Sequence, residues 1–368
     1  NYKDDIASAK KFINHMGNPY SEIVKDEDGT ISIALGAYGV PETLVIDANK
    51  IILIGTSPIA EFHVTALKES GLIPIAVASS NRNSSSQKKF AIKNNIDKDY
   101  SDWKKMIDTE KYDGIVIATR IESTLEILEH AIKQNVPILV EKPISYNSKD
   151  LEKLIKNSHE MIMVGYNRRF YKTVNVLKNL VLKDNAPVIA SMVTPDFFNT
   201  KKFFPNTLHS LDILLYIFGD IRLEFIKKLI VNDAQKGFVA TFSNDRKDII
   251  QLIGNWNSSD NFSLSVFQDK KRFELKPYEK LVTYDGIDAD GTVWKHVPKI
   301  VDEINLETID EINSETVGKY IKPGFYQQSC AFSELIKNKK MDSAASLTDA
   351  LKDVKIFEKL IGKYEDLV

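Results

Sequence analysis

The sequence predicts an α/β protein in which a doubly wound parallel sheet is followed by an α+β region with a mostly antiparallel open sheet. Two observations support this prediction. From residue 50 onward, short apolar strands alternate with helices, as in βαβ units. From about residue 187, helices give way to strand-like runs such as "VIASMVT", "GFVATFS" and "FSLSVFQD", which are typical of antiparallel sheets.

The predicted parallel sheet starts with the strand Ile51–Ile54, which contains only apolar residues. The elements predicted after it are helix Ile59–Ser70, strand Ile73–Ala78, helix Ser86–Asn94, helix Asp102–Asp108, strand Gly114–Ala118, helix Glu122–Gln134, strand Pro137–Val140, helix Lys149–Asn157 and strand Met161–Gly165. Strands joined by helices of this length form parallel sheets with right-handed crossovers. In the second region, helix Leu347–Ile361 closes the chain.

Two patterns compete for the segment Lys50–Gly55. Read forward, it is a strand that enters a tight turn and then a helix with Pro58 in its first turn, which is how a βαβ unit opens. Read backward, strand Glu42–Ile46, the turn Asp47–Asn49 and the same segment form a hairpin. The parallel sheet needs this segment as its central strand, so we assign it there.

This assignment divides the chain into three predicted regions. An N-terminal segment covers residues 1–49, the parallel sheet covers residues 50–165, and the α+β region covers residues 166–368. We expect the last helix to pack back on the parallel sheet.

The composition excludes several functional classes. The chain has 368 residues, of which 43% are hydrophobic and 27% charged, as in ordinary globular proteins. A net charge of −2 gives no general attraction for nucleic acid or anionic lipid. No apolar run approaches the roughly 20 residues that a membrane span needs. We therefore expect a cytoplasmic protein with no nucleic-acid or membrane partner.

Cysteine and histidine usage argues against redox and metal chemistry. The single cysteine, Cys330, cannot form an internal disulfide or a Cys-x-x-Cys pair. We expect it to be a small buried side chain in a helix over Tyr326–Lys337. The six histidines show no i, i+4 pair, so we predict no metal site.

The turn after the first strand has the residues of a phosphate-binding loop. Gly55 and Ala60 match the first and last positions of G-x-G-x-x-G/A, whereas Ser57 replaces the middle glycine. The first glycine permits the turn, and the helix N-terminus offers N–H groups to a pyrophosphate. The pattern favours dinucleotide binding, and the alternative is an ordinary β–α turn.

The loop after the second strand bears on the choice of cofactor. An NAD-preferring site carries Asp or Glu there to bind the ribose 2′-hydroxyl. This chain has "VASSNRN", with hydroxyls at Ser79 and Ser80 and a cation at Arg82, which suits the 2′-phosphate of NADP. We therefore favour NADP(H) over NAD(H). The alternative is a solvated polar loop without a ligand.

A buried strand in "VPILVEKPIS" places Glu141, Lys142 and Pro143 at its carboxyl end, where open α/β sheets bind ligands. Pro143 restricts Lys142 to an extended conformation. A lysine in such a crevice loses basicity through desolvation and is suited to proton transfer. The alternative is an ordinary surface tripeptide.

Four motifs, "GTSPIAEFHVTAL", "EKP", "VGYNRRF" and "HSLDILLYIFG", occur in an order and at spacings that resemble the Gfo/Idh/MocA family of NAD(P)-dependent oxidoreductases. The resemblance covers roughly residues 50–365. It implies a Rossmann domain and a second α/β domain whose open sheet forms homodimers or homotetramers. It also implies hydride transfer between nicotinamide and a carbinol carbon of a sugar, polyol or sugar nucleotide.

The resemblance also implies roles for individual residues. Lys142 and His209 are the expected catalytic residues, with His209 exchanging a proton with the substrate hydroxyl. The residues expected to bind the cofactor are Gly55, Ser57, Ala60, Ser79, Ser80, Arg82, Thr119, Glu141, Lys142, Asn167 and Arg168. For Asp212 we expect a structural or orienting role, and for His63 a packing role.

Two positions depart from the family pattern. An Asp commonly lies four residues before the family histidine, and here that position is Pro205. Arg120 and Thr124 stand where the family has a proline and a histidine. Arg120 either favours an acidic or phosphorylated substrate or is a surface residue without a role.

The first fifty residues resemble the second half of the thioredoxin-like proteins of cytochrome c maturation, with "GNPY", "DEDG" and "LGAYGVPETLVIDANKII" as the matching stretches. Pro41 falls at the cis-proline of that fold. The redox cysteines that normally face it are absent from this chain. Either the missing half lies upstream of Asn1, or the segment is a remnant fused to the oxidoreductase, which we favour.

The leading expectation is therefore an NAD(P)-dependent sugar oxidoreductase. One alternative on the same fold is an enzyme that cleaves glycosides through transient oxidation with tightly held NAD. Another is a catalytically silent cofactor- or sugar-binding protein, which Pro205 would allow. A thiol-redox module is disfavoured because the chain has no cysteine pair.

Overall fold

The computed structural model describes 49–81, 85–183, 186–199, 202–204, 206–256, 261–285, 288–289, 294–295, 298–303 and 322–361, with residues 10, 11 and 15. Chain contacts separate Asn1–Ala48 from Asn49–Val368, and the fold described below is that of the second unit. The expected thioredoxin-like segment, Arg82 and Pro205 lie outside the described residues.

The first sheet is parallel and has six strands in the order β3-β2-β1-β4-β5-β6. Its strands are β1 (Lys50–Ile54), β2 (Ile73–Ala78), β3 (Lys98–Tyr100), β4 (Gly114–Ile117), β5 (Ile138–Val140) and β6 (Ile162–Val164). This strand order is that of a dinucleotide-binding Rossmann sheet, with a crevice where the order reverses beside β1. The predicted doubly wound sheet is thereby confirmed.

Helices connect these strands. They are α1 (Pro58–Glu69), α2 (Ser86–Asn94), α3 (Trp103–Thr109), α4 (Ile121–Ala131) and α5 (Ser148–Lys156), with 3₁₀ turns at Ile132–Gln134 and Asn167–Phe170. The short strand β3 was missed by the sequence prediction, because "KDY" carries neither an apolar run nor a clear alternation.

The competition for Lys50–Gly55 is resolved in favour of the parallel sheet. β1 pairs in parallel with β2 on one side and with β4 on the other. Residues 51–54 are fully buried. An all-apolar strand is expected where both faces of a parallel sheet are covered, and this is the central position that the sequence predicted.

The second sheet has eight strands in the order β10-β11-β12-β7-β13-β14-β15-β18. Its strands are β7 (Ile189–Thr194), β10 (Arg222–Val231), β11 (Ala234–Ser243), β12 (Ile249–Asn255), β13 (Ser263–Gln268), β14 (Lys271–Leu275), β15 (Lys280–Asp285) and β18 (Pro298–Glu303). Only the β7–β12 pair is parallel, which confirms the mostly antiparallel sheet. Two short hairpins accompany it, β8 (Phe197–Asn199) with β9 (Lys202–Phe204) and β16 (Asp288–Ala289) with β17 (Trp294–Lys295).

Four helices complete the described fold: α6 (Lys172–Lys183), α7 (Asn206–Phe218), α8 (Phe325–Asn338) and α9 (Leu347–Ile361). α8 packs on α1, and its apolar residues join the buried side chains of β1. α9 contacts α5 and β6 as well as α7. The last described helix therefore touches elements on both sides of the predicted boundary at residue 166.

Cys330 lies in α8 as expected, but it is half-buried rather than buried, because its helix position faces the edge of the apolar stripe. Within the described ranges, none of the helices combines the length and the apolarity that a transmembrane span requires.

Candidate functional site

The turn after β1 is built around Gly55. Its φ of +126° favours glycine, and a Cβ added there would lie 2.1 Å from the carbonyl oxygen of Ala118. The N–H of Gly55 donates to the carbonyl of Ala78, 2.8 Å away, which ties the turn to β2. Ser57 is the N-cap of α1, but its hydroxyl points to the Ala118 carbonyl at 3.5 Å and does not cap the helix. This geometry leaves the helix N-terminus available to a phosphate.

A cleft of about 870 Å³ opens at this turn, along the carboxyl ends of β1, β2 and β4. We call it the cofactor cleft, and its lining residues are Gly55, Thr56, Ser57, Pro58, Ser79, Ser80, Asn81, Ser86, Ala118, Thr119, Arg120, Glu122 and Ser123. The structure thus brings together five of the residues predicted to bind cofactor. Ala60 does not line the cleft; it is fully buried on the side of α1 that packs on β1, where a small side chain lets helix and sheet approach.

The cleft is lined by several hydroxyls and by one cation. Ser79 accepts a hydrogen bond from the backbone N–H of Asn81 at 3.2 Å, which shapes the loop after β2. Arg120 is exposed at the N-cap of α4 and lines this same cleft. The sequence had connected Arg120 with an acidic substrate, whereas its position places it beside the expected cofactor. The hydroxyls of Thr119 and Thr124 form a hydrogen bond of 2.9 Å, which connects the residue before Arg120 to the first turn of α4.

Glu141, at the end of β5, is paired with His63 of α1. His63 Nε2 and Glu141 Oε1 are 2.7 Å apart, and both side chains are largely buried. The His63 ring also meets Phe325 edge-on, with centroids 5.0 Å apart. The expectation that His63 only packs was incomplete, because a buried imidazole needs a polar partner and Glu141 provides it.

Lys142 follows directly at the same end of the sheet, and its peptide bond to Pro143 is cis. Burial, together with the positive charges of Arg168 and Lys322, lowers the pKa of the Lys142 amine to about 8, although Glu141 and Asp196 oppose this shift. An amine with this pKa exchanges its proton readily near neutral pH.

His209 lies on α7 and is buried, with its ring 6.0 Å from that of Tyr166. Burial and the positive charges of Lys142, Arg168 and Lys322 lower the pKa of His209 well below its usual range. The imidazole is therefore neutral at pH 7. Its Nδ1 is buried and has no hydrogen-bond partner among the described residues, which leaves Nε2 as the nitrogen on the open side. The two predicted catalytic residues thus share one electrostatic environment.

Asp196 is a site residue that sequence reasoning missed. It is buried after β7, and its carboxylate accepts hydrogen bonds from the N–H of Asn206 at 3.2 Å and of Thr207 at 3.0 Å. The Thr207 hydroxyl donates to it at 2.7 Å. Asp196 therefore caps the helix that carries His209, and its charge acts on Lys142. Its position two residues after the predicted strand "VIASMVT" was the signal that could have revealed it.

The 3₁₀ turn after β6 carries Asn167 and Arg168. Asn167 is buried and donates from Nδ2 to the carbonyl of Pro323 at 2.9 Å, so it anchors the chain before α8. A Cβ on Gly324 would lie 2.2 Å from the Asn167 carbonyl oxygen. Arg168 stacks on Phe262, with Cζ 3.7 Å from the ring centroid. Neither residue lines the cofactor cleft, although both were expected to bind the cofactor.

A buried ion pair holds this turn against α7. Arg169 donates to Asp212 from Nε at 2.8 Å and approaches it from Nη2 at 2.7 Å, and its Nη1 lies 3.5 Å from Asp349. Burial raises the pKa of Asp212, and the interaction with Arg169 opposes that shift. Asp212 was expected to have a structural or orienting role. It lies on the same helix as His209 and pairs with Arg169, which is next to Arg168.

Comparisons with known proteins find similar sequences and similar folds. The family model described as "Oxidoreductase family, NAD-binding Rossmann fold" matches residues 49–166. An oxidoreductase from Agrobacterium radiobacter, solved with NAD+, L-tartaric acid and magnesium, is 18% identical with a TM-score of 0.69, over 85% of this chain and 95% of that one. UDP-N-acetylglucosamine 3-dehydrogenase GnnA from Acidithiobacillus ferrooxidans is 13% identical with a TM-score of 0.67, over 86% and 97%. Identities this low support the shared fold alone.

A short part of the chain has a different relative. The thiol:disulfide interchange protein DsbE of Pseudomonas aeruginosa is 52% identical over 52 residues, which are 14% of this chain and 29% of that protein. The chain therefore spans less than a third of the length of these curated relatives. The sequence resemblance to a thioredoxin-like fragment is confirmed, and residues 49–166 match the family model of the Gfo/Idh/MocA oxidoreductases with an NAD-binding Rossmann fold.

Proposed function

We propose that the chain is an NAD(P)-dependent oxidoreductase that transfers a hydride between nicotinamide and a carbinol carbon of a sugar, polyol or sugar nucleotide. The observation that carries this proposal is the placement of Lys142 and His209 in one buried electrostatic environment. Lys142 has a pKa of about 8, and burial and like charges keep the His209 imidazole neutral. The GnnA dehydrogenase, which shares the fold, is named for action on a sugar nucleotide.

The residues of the cofactor cleft fit a dinucleotide. Gly55 leaves no room for a Cβ beside Ala118, as expected where backbone must approach a pyrophosphate, and α1 begins two residues after Thr56. The cleft volume of about 870 Å³ suits a large ligand. Gly55 and Ser57 would hold the pyrophosphate, and Ser79 and Ser80 the adenosine ribose.

When bound, the nicotinamide supplies the hydride acceptor or donor. In the oxidative direction, the substrate carbon loses its hydride while Nε2 of the neutral His209 takes the hydroxyl proton. The ammonium of Lys142 stabilises the negative charge that develops on the same oxygen. Asp196 fixes the N-terminus of the helix on which His209 lies and supports the charged form of Lys142.

NADP(H) is the proposed cofactor in preference to NAD(H). The residues at the end of β2, Ser79, Ser80 and Asn81, carry no carboxylate that would repel a 2′-phosphate. Arg120 adds an exposed cation to the cleft. The Agrobacterium protein binds NAD+, so both cofactors need direct measurement. We place the reaction in the cytoplasm, where these cofactors are abundant.

An exposed apolar face supports a homodimer or homotetramer. Ile249, Ile189 and Phe267 lie opposite one another on β12, β7 and β13. They are 52%, 58% and 45% exposed, respectively. A row of large apolar side chains in the middle of a sheet is typical of a subunit interface. We propose that a second copy of the chain covers it.

The first experiment titrates the purified chain with NADPH and with NADH, and follows nicotinamide fluorescence. Tighter binding of NADPH, with the preference reduced by Arg120→Ala, is the expected result. Equal or tighter binding of NADH would contradict the NADP assignment and keep the family function. A folded chain that binds neither cofactor would overturn the proposed function.

The second experiment measures turnover with a panel of sugars, polyols and sugar nucleotides. We expect His209→Ala and Lys142→Ala to lower kcat by about 10²- to 10⁴-fold with cofactor affinity retained for His209→Ala. His130→Ala is the control, because His130 on α4 contacts Asp108 and Trp103 of α3 and does not line the cofactor cleft. Unchanged turnover in both catalytic variants would rule out the assigned roles.

A further inference from the structure

Three cations converge on the catalytic end of the sheet without acidic partners. Lys142, Arg168 and Lys322 each act electrostatically on His209. Within the part of the chain that the structure describes, none of the three forms an ion pair. Partly buried cations without a counter-charge are costly, so such a group is expected where a ligand supplies the anion.

Among the described residues, the carboxylates that act on Lys142 are Glu141 and Asp196, and each of them has another partner. Glu141 is held by His63 at 2.7 Å. Asp196 accepts three hydrogen bonds at the start of α7, from the N–H groups of Asn206 and Thr207 and the Thr207 hydroxyl. Each carboxylate therefore has a structural task, and positive charge remains in excess around His209.

Arg168 is arranged as a preformed anion receptor. Its guanidinium lies flat on Phe262, with Cζ 3.7 Å from the ring centroid, and 5.5 Å from that of Tyr278. Stacking fixes the plane of the guanidinium and leaves its N–H edge free to bind a planar or tetrahedral anion in bidentate geometry. Its Nη1 is buried and lacks a hydrogen-bond partner among the described residues. A buried donor of this kind is normally satisfied.

The position of this receptor separates it from the cofactor phosphates. The cofactor cleft is lined by Gly55–Pro58 and the ends of β2 and β4. Arg168 instead rests on Phe262 and Tyr278, which flank strands of the second sheet. Its charge acts on His209, the residue expected to meet the substrate hydroxyl.

Building on the proposed function, we propose that the substrate is anionic and that Arg168 and Lys322 bind its negative group beside His209. The group is a carboxylate or a phosphate, so the substrate class is a sugar acid, a sugar phosphate or a sugar nucleotide rather than a neutral sugar or polyol. The stacked Arg168 fixes the direction of the anion, and Lys322 supplies a second charge.

The test is calorimetric titration of the chain, with and without saturating NADPH, using four ligands that share one ring configuration. D-glucose is neutral, whereas D-glucuronate, D-glucose 6-phosphate and UDP-glucose carry a carboxylate, a phosphate ester and a diphosphate. We expect at least one anion to bind about tenfold or more tightly than glucose. The anion that binds best identifies the source of the charge.

Variants assign the effect to the receptor. Arg168→Gln keeps most of the side-chain volume and is expected to weaken the best anion at least about tenfold, whereas Arg168→Lys retains part of the affinity. Lys322→Gln should weaken it less. Arg222→Gln is the matched control, since it removes one positive charge from an exposed pair with Asp245.

Several results would overturn the inference. They are glucose binding as tightly as every anion, no binding of any of the three anions, or an Arg168→Gln variant that loses NADPH affinity while keeping the anion. Because the titrations are also run without cofactor, a failure to bind NADPH would count against the proposed function and leave the anion measurement to decide this inference.

Discussion

The cofactor cleft and the catalytic cluster, which we define as Lys142, Arg168, His209 and Lys322, are constructed in different ways. The cleft is made largely of backbone and small polar side chains at consecutive positions, such as Gly55–Pro58. The cluster consists of charged and titratable side chains from the segment after β5, the 3₁₀ turn Asn167–Phe170, α7 and the segment before α8. The cleft is thus assembled from short runs that follow β1, β2 and β4, whereas the cluster takes single side chains from segments as far apart as residues 142 and 322.

This difference teaches where each region is vulnerable. The cleft depends on one backbone conformation, so a single added methyl group can disrupt it. The cluster depends on buried charges that shift one another's pKa values, so its properties change when any neighbour loses its charge. Its geometry in turn rests on Arg169 and Asp212, which connect the turn carrying Arg168 to the helix carrying His209.

The largest effect is expected for the ion pair under the catalytic cluster. Arg169→Gln leaves Asp212 buried without its partner, and we expect a loss of about 3–5 kcal/mol in the free energy of unfolding. Arg222→Gln breaks a chemically identical pair with Asp245, whose side chain is 97% exposed. That control should change stability by less than about 1 kcal/mol. Denaturant unfolding of both variants measures the difference.

Equal effects in the two variants would contradict the view that buried charge organises the cluster. A folded Arg169→Gln variant should also lose turnover more than NADPH affinity, because the cofactor cleft does not depend on the ion pair. Loss of both to the same degree would mean that the two regions are not separable.

A smaller effect is expected in the cleft. Gly55→Ala places a Cβ against the Ala118 carbonyl at a φ of +126°, and we expect a loss of about 2–4 kcal/mol of stability and at least about tenfold in NADPH affinity. Gly71→Ala is the matched control at the end of α1. Its φ is +77° with no atom within 4 Å of the added Cβ, so only backbone strain of about 1–2 kcal/mol applies. Comparable cofactor affinity in both variants would show that Gly55 has no special role.

Much of the fold could be predicted from the sequence because its signals are local. The apolar run Ile51–Ile54, the regular spacing of helices and the later strand-rich texture each reflect burial in one type of layer. The strand Lys98–Tyr100 could not be predicted in this way, since it is a short edge strand whose first two residues are exposed.

The candidate site was only partly predictable for the same reason. Gly55, Ser57, Ser79 and Ser80 are readable because each follows a strand of the sheet. The pairing of Glu141 with His63 and the capping of α7 by Asp196 depend on residues 78 and 11 positions apart, respectively. No local pattern encodes such partners. For Arg120, the sequence suggested a role in binding an acidic substrate. Only the fold shows that it lines the cofactor cleft.

The smallest expected effect, a shift in pH dependence, tests the catalytic cluster most specifically. Lys142 has a pKa of about 8 and is proposed to act as the ammonium. Turnover should therefore fall as pH rises through about 8, where the amine loses its proton. His209 titrates well below its usual range, so it should limit activity only under acidic conditions. A profile of kcat against pH from 5 to 10 measures both limbs.

Two variants are expected to shift the pKa of Lys142 in opposite directions. The negative charge of Asp196 raises the pKa of Lys142, so Asp196→Asn should move the alkaline limb to lower pH. The positive charge of Arg168 lowers it, so Arg168→Gln should move the limb to higher pH. Glu141 and Lys322 act on the same amine and stay unchanged in both variants. Since a merely structural defect would lower activity without moving the limb in opposite directions, shifts of the same sign would exclude Lys142 as the titrating group.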